Sequence, residues 1–143
     1  MSTSHRTFEG ECHCGAIGYV YLTAIAPESW NVRACQCSFC RAHAVRTTSD
    51  PSGSVQFTER LRGALHPYRF GQMTADFLVC RTCGVYVGAS IATPQGNYGI
   101  ININALQPLP AGLPDAVASV YEGETAEQRV ARRRERWTPV SKS

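Results

Sequence analysis

Asp76-Phe77-Leu78-Val79-Cys80-Arg81-Thr82-Cys83-Gly84-Val85-Tyr86-Val87-Gly88-Ala89-Ser90-Ile91 is the stretch whose reading decides the fold. Apolar residues from Asp76 to Val79 run into a Cys-x-x-Cys pair, and a second apolar run, Val85 to Ile91, leaves it through a glycine. Strand-forming residues on both sides of a tight turn predict a hairpin. Two thiols on one side of that turn make it a metal knuckle. Moving outward, the chain repeats this chemistry as Cys12-x-Cys14 and as Cys35-x-Cys37-x-x-Cys40, and all seven cysteines belong to the three clusters.

The segments between the clusters read as short strands. Ile17 to Ile25 alternates Tyr19 and Tyr21 with Val20 and Leu22 and predicts a strand ended by Pro27. Short strands are expected at Val32 to Cys35, Val55 to Phe57 and Leu65 to Phe70, the last at a sheet edge because Pro67 cannot donate to a ladder. Ser38 to Val45 predicts a short helix, and Ser49-Asp50-Pro51-Ser52-Gly53 a turn. Tyr98 to Leu106 alternates, with Ile101 and Ile103 on one face and Asn102 and Asn104 on the other. Residues 1–9 read as a flexible start. Glu124 to Trp137 has no glycine or proline, with acids at its start and arginines at its end. That order complements a helix dipole and predicts the one substantial helix. The fold class is therefore mainly β, antiparallel, with zinc knuckles, short helical turns and one C-terminal helix.

At 143 residues, 43% hydrophobic and 17% charged, the chain reads as a single folded domain over 1–143, with its core at about 8–109. Met1 to Glu11 is polar and resembles no secretory signal, and no apolar run reaches bilayer length. The expected setting is soluble and cytoplasmic, where reducing conditions favour metal or catalytic roles for cysteine over disulfides. A net charge of +3 is too small to argue for nucleic acid. The arginines of the late helix, without interleaved aromatics, read as a solvated face anchored by Val130 and Trp137. An anionic small substrate is a more modest use for that charge.

Seven thiols divide as four plus three. Cys12, Cys14, Cys80 and Cys83 make a closed four-thiolate set from two distant segments, suited to a structural zinc. Cys35, Cys37 and Cys40 come from six consecutive residues and leave a fourth position. A zinc there would accept a substrate thiol and deprotonate it, giving a nucleophile for an aldehyde carbon. His43 and Ser38 stand close in sequence and are candidates for the proton transfer. Alternatively His43 closes the trio, making a second structural site in a non-catalytic module that binds a partner. A third possibility is a redox-active thiol cluster. His13 is expected to point to solvent and His66 to be a strand residue.

Gly10-Glu11-Cys12-His13-Cys14-Gly15, Cys35-Gln36-Cys37-Ser38-Phe39-Cys40 and Cys80-Arg81-Thr82-Cys83-Gly84, in that order, resemble the signatures of the glutathione-dependent formaldehyde-activating enzyme family, which includes a centromere-protein branch. Ile101-Asn102-Ile103-Asn104-Ala105-Leu106 resembles the family's late strand. The likeness spans about Phe8 to Leu109 and excludes the C-terminal helix. It implies a β-tent fold, structural zinc ligands at Cys12, Cys14, Cys80 and Cys83, and catalytic zinc ligands at Cys35, Cys37 and Cys40. It also implies a carbon–sulfur lyase activity joining glutathione and formaldehyde into S-hydroxymethylglutathione. It carries over no substrate-binding residue and fixes neither the thiol nor the aldehyde.

Overall fold

The computed structural model describes residues 4–141. In chain order its strands are β1 (Arg6–Glu11), β2 (Ile17–Thr23), β3 (Arg33–Cys35), β4 (Thr47–Thr48), β5 (Ser54–Glu59), β6 (Leu65–Tyr68), β7 (Asp76–Cys80), β8 (Tyr86–Thr93), β9 (Gly96–Asn102), β10 (Val117–Ser119) and β11 (Thr138–Pro139). The helices are α1 (Ser38–Ala42) and α2 (Ala126–Arg136), with single 3₁₀ turns at Pro27–Ser29 and Ile103–Ala105.

The strands form two sheets. One has the order β1-β2-β5; the other runs β10-β3-β4-β9-β8-β7-β6, with β11 beside β9. The mainly β, mostly antiparallel expectation holds, and β6 with Pro67 does lie at an edge. A difference is β10, which pairs with β3 in parallel, Ser119 opposite Cys35. The two sheets enclose a common core of Ile17, Tyr19, Tyr21, Val55, Leu78, Val87, Ile101 and Ile103. The Tyr19 hydroxyl donates to the Asn102 carbonyl (2.8 Å), tying one sheet to the other.

Phe57 on β5 makes a second inter-sheet contact. Its ring faces Gly88 on β8 and Gly99 on β9, and a methyl group at either glycine would fall within 3 Å of ring carbons. The missing side chains are therefore what lets the sheets approach. Gly99→Val is expected to force Phe57 aside and cost about 1–3 kcal/mol, measurable by denaturant unfolding.

Three sequence expectations need correction. The first residues are not all flexible: Arg6–Glu11 is a strand, paired with β2 from Arg6 opposite Thr23 to Glu11 opposite Gly18. Tyr98 to Leu106 is not one strand. β9 ends at Asn102, whose side chain accepts from the Asn104 N–H (3.1 Å) and starts the 3₁₀ turn. Asn102 is also buried, donating to the Tyr86 carbonyl (2.9 Å), so it does not share an outward face with Asn104. Third, the arginines of α2 are not all on a solvated face, since Arg133 is 8% exposed.

Among the described residues no helix is long and apolar enough to cross a membrane. α2 bears out the expected late helix, with Glu127 in its first turn and arginines in its last. Thr125 and Gln128 form a reciprocal capping box, and Trp137 closes the other end.

Candidate functional site

The Cys12/Cys14 turn joins β1 to β2, and the Cys80/Cys83 turn joins β7 to β8. Each is a compact loop closed by its own backbone bonds: Cys12 N–H to the Ile17 carbonyl (2.9 Å) and Gly84 N–H to the Cys80 carbonyl (2.9 Å). Gly15 and Gly84, directly after the second cysteine of each pair, adopt φ of +82° and +81°. A side chain would strain that conformation, so glycine sets the angle at which the two thiols face each other.

The two turns belong to different sheets, yet their four sulfurs lie within 4.8 Å of one another. Cys12 Sγ is 3.7 Å from Cys14 Sγ, which is 3.6 Å from Cys80 Sγ. Thiolates about 2.3 Å from a tetrahedral zinc stand about 3.8 Å apart, whereas a disulfide would need about 2.05 Å. Backbone N–H groups point at the sulfurs as well, Ile17 at Cys12 and Cys83 at Cys80, each at 3.4 Å. The donor set, spacing and backbone donors fit a zinc ion.

The second group is local. β3 delivers Cys35; Cys37 caps the N-terminus of α1, its sulfur accepting the Cys40 N–H (3.4 Å); Cys40 lies one turn into the helix. Their sulfurs also fall within 4.8 Å of one another. Crowding makes Cys37 the preferred thiolate. Donation from the Cys35 thiol first, then from Cys40, with backbone N–H groups of Cys40 and Phe39, holds it well below the usual thiol range. Cys40 is pushed up by Cys35 and Cys37, and Cys35 is pushed up chiefly by Cys37. Three sulfurs that cannot all ionise unaided make a donor set that a divalent cation would complete.

No histidine or carboxylate joins this trio among the described residues. His43 ends α1, exposed, its ring 4.5 Å from that of Phe39. Ser38 is on the wall of the cleft that the trio borders. His13 is exposed, and His66 is a β6 residue opposite Val79.

That cleft has a volume of about 630 Å³. The trio forms part of its wall, Phe70, Phe77 and Ile100 give it an apolar surface, and Arg33, Arg129, Arg132 and Arg133 give it positive charge. The parallel pairing of β10 with β3, extended by Gln36 N–H to the Ser119 carbonyl (2.9 Å), brings Tyr121 to the opening. The Arg132 guanidinium stacks 3.6 Å from the Tyr121 ring centroid. Glu124 pairs with both Arg129 and Arg132, and these arginines hold its carboxyl below the usual range. α2 thus closes one side of the cleft over the thiol trio.

Sequence reasoning offered an anionic small substrate as a use for the helix charge but did not place that charge in the wall of a cleft beside the thiols. One signal was present: Val130, Arg133 and Trp137, at i, i+3 and i+7, share one helix face, so the two apolar anchors place Arg133 inward with them. Tyr86 was missed too. It is 1% exposed, its hydroxyl has no partner among the described residues, and burial, then the charges of Cys40, Cys35 and Cys37, push its pKa well up. It therefore stays a neutral phenol.

A crystal structure of a Rhodobacter sphaeroides protein is similar, with 27% identity and a TM-score of 0.56 over 78% of this chain and 99% of that one. No curated protein matches the chain. Residues 7–124 match the family described as glutathione-dependent formaldehyde-activating enzyme. That match takes in both knuckles, the thiol trio and the cleft segment up to Glu124, and on it the chain belongs to the glutathione-dependent formaldehyde-activating enzyme family.

Proposed function

We propose that the protein is a zinc-dependent enzyme of the carbon–sulfur lyase type, adding a thiol such as glutathione to formaldehyde or another small aldehyde. The reading rests on one observation above all. Three thiols from six consecutive residues meet on the wall of a cleft, with no fourth protein ligand among the described residues. Cys12, Cys14, Cys80 and Cys83 are assigned a structural zinc, and Cys35, Cys37 and Cys40 a catalytic one.

Cys35, Cys37 and Cys40 would hold a zinc ion, which would supply acidification of an incoming thiol at neutral pH. The chain's own residues do the rest. Phe70, Phe77 and Ile100 narrow the cleft and limit water around the nucleophile. The sulfur forms a bond to the aldehyde carbon, the carbonyl π pair moves to oxygen, and that oxygen takes up a proton. Ser38, next to Cys37 on the cleft wall, offers a hydroxyl for that transfer; His43 lies at the exposed helix end, stacked on Phe39. The uncatalysed addition is already facile, so the enzyme's contribution is acceleration of a fast equilibrium.

Exchange spectroscopy by NMR on an equilibrium mixture of glutathione and formaldehyde tests this. The exchange rate is expected to rise in proportion to added zinc-loaded protein. A rate no higher than with an unrelated protein at the same concentration would sink the assignment.

A further inference from the structure

α2 lies wholly beyond the family match, which ends at residue 124, yet it forms one wall of the cleft. Its three cleft-facing arginines are not equivalent. Arg129 and Arg132 share the single carboxylate of Glu124, at 3.3 and 2.9 Å. Arg133 makes no ion pair among the described residues. It is the most enclosed of them, 8% exposed, with one amino group donating to the Thr74 hydroxyl (2.8 Å) and the guanidinium 4.8 Å from the Trp137 ring centroid. Its Nε–H is buried and meets no acceptor.

An enclosed cation lacking a counter-charge is costly, and the cost persists unless an anion arrives. Packing alone gives no reason for it, because an apolar side chain of similar length between Val130 and Trp137 would fill the space. Thr74 and Trp137 hold the guanidinium in one orientation, so little freedom is lost when it binds a planar carboxylate. Burial, then Arg132 and Arg129, lower the Arg133 pKa to about 10, which leaves it cationic at neutral pH.

We infer that Arg133 is a specificity-determining residue that receives an anionic group, a carboxylate, of the thiol substrate, so that this chain uses its C-terminal helix to select acidic thiols over neutral ones. The inference rests on the proposed function in taking the cleft as the thiol's seat. It differs from that reading in assigning selectivity to a residue outside the family-matched segment.

The test separates binding from turnover. Zinc-loaded full-length protein is titrated calorimetrically with S-methylglutathione, whose blocked sulfur cannot react, and with its dimethyl ester, which lacks the carboxylates. The acid is expected to bind at least about tenfold more tightly than the ester. Arg133→Met should remove that preference, and Arg133→Lys, which keeps the charge but not the planar fork, should keep only part of it. In turnover, Arg133→Met should raise KM for glutathione while leaving kcat and the KM for neutral 2-mercaptoethanol within a few-fold. Equal binding of acid and ester by the wild type overturns the inference, as does an equal loss for both ligands in Arg133→Met with two zinc ions retained. If Arg133→Met does not fold, Arg133→Lys takes its place, and an acid-to-ester ratio equal to the wild type's would overturn the inference. Selective binding without any turnover would leave Arg133 in this role and refute the proposed activity instead.

Discussion

Cys80→Ser is expected to unfold the protein. Cys80 contributes to a sulfur set drawn from the β1–β2 and β7–β8 turns, which lie in different sheets. A zinc ion there would tie together strands about 70 residues apart in sequence, closing a long loop whose entropy the sheet contacts would otherwise have to offset. Structural zinc contributes about 10–16 kcal/mol of apparent binding energy in small zinc modules, comparable to the whole stability of a domain at about 5–15 kcal/mol. Serine binds zinc far less well than a thiolate, and its smaller oxygen leaves the 1%-exposed Cys80 site underfilled. Loss of even about 5 kcal/mol would lower the melting temperature by about 10–20 °C in a chain of this size. Calorimetry together with zinc content checks this. A variant that melts within a few degrees of the wild type would show that the sheets hold without the clip.

Cys37→Ser is expected to do the reverse, sparing the fold and removing the activity. Cys37 is the N-cap of α1, where its sulfur accepts the Cys40 N–H. Serine is among the best N-cap residues, so the helix start survives the exchange. The trio, however, falls to two thiolates, and zinc content should drop from two ions per chain to one. Catalysed exchange of glutathione with formaldehyde should fall at least about a hundredfold, since even indirect supports of a metal site cost 10–100-fold when removed. Unchanged melting with lost activity is the combination expected. Full activity with one zinc would remove the trio from the chemistry.

The contrast between these two variants follows from where each cluster's geometry is written. A Cys-x-x-Cys pair between two apolar runs fixes its own turn, so the β7–β8 hairpin and its knuckle are legible in residues 76–91 alone. The same holds for α1, within the expected Ser38 to Val45, and for α2, with its acidic start and basic last turn. What was not legible is what only a partner defines. β1 carries one large apolar residue, Phe8, and becomes a strand because β2 offers it a full register. Strands as short as β4, β10 and β11 have no periodicity to read; they exist where β9 and β3 present open edges. Asn102 turns β9 into a 3₁₀ turn by bonding inward to Tyr86 and forward to Asn104, and alternation could not reveal those bonds. The cleft is legible least of all. Its walls come from segments near residues 35, 74, 120 and 133, and their meeting depends on the parallel β10–β3 pair.

The cationic wall also changes what α2 is for. Five arginines between residues 129 and 136 look interchangeable in sequence, but Glu124 and Tyr121 fix Arg129 and Arg132, while Arg133 turns to Thr74 and Trp137. Arg134 and Arg136 remain exposed. One helix therefore combines solvent-facing charge with charge built into the cleft.

Zinc-edge X-ray absorption, recorded on the full-length protein before and after glutathione is added, bears most directly on all of this. Two ions per chain are expected, one with four sulfur neighbours throughout and one whose three sulfurs and single light atom become four sulfurs with the thiol present. One ion per chain, or a second ion whose fourth neighbour is an imidazole nitrogen that glutathione does not displace, would contradict the account.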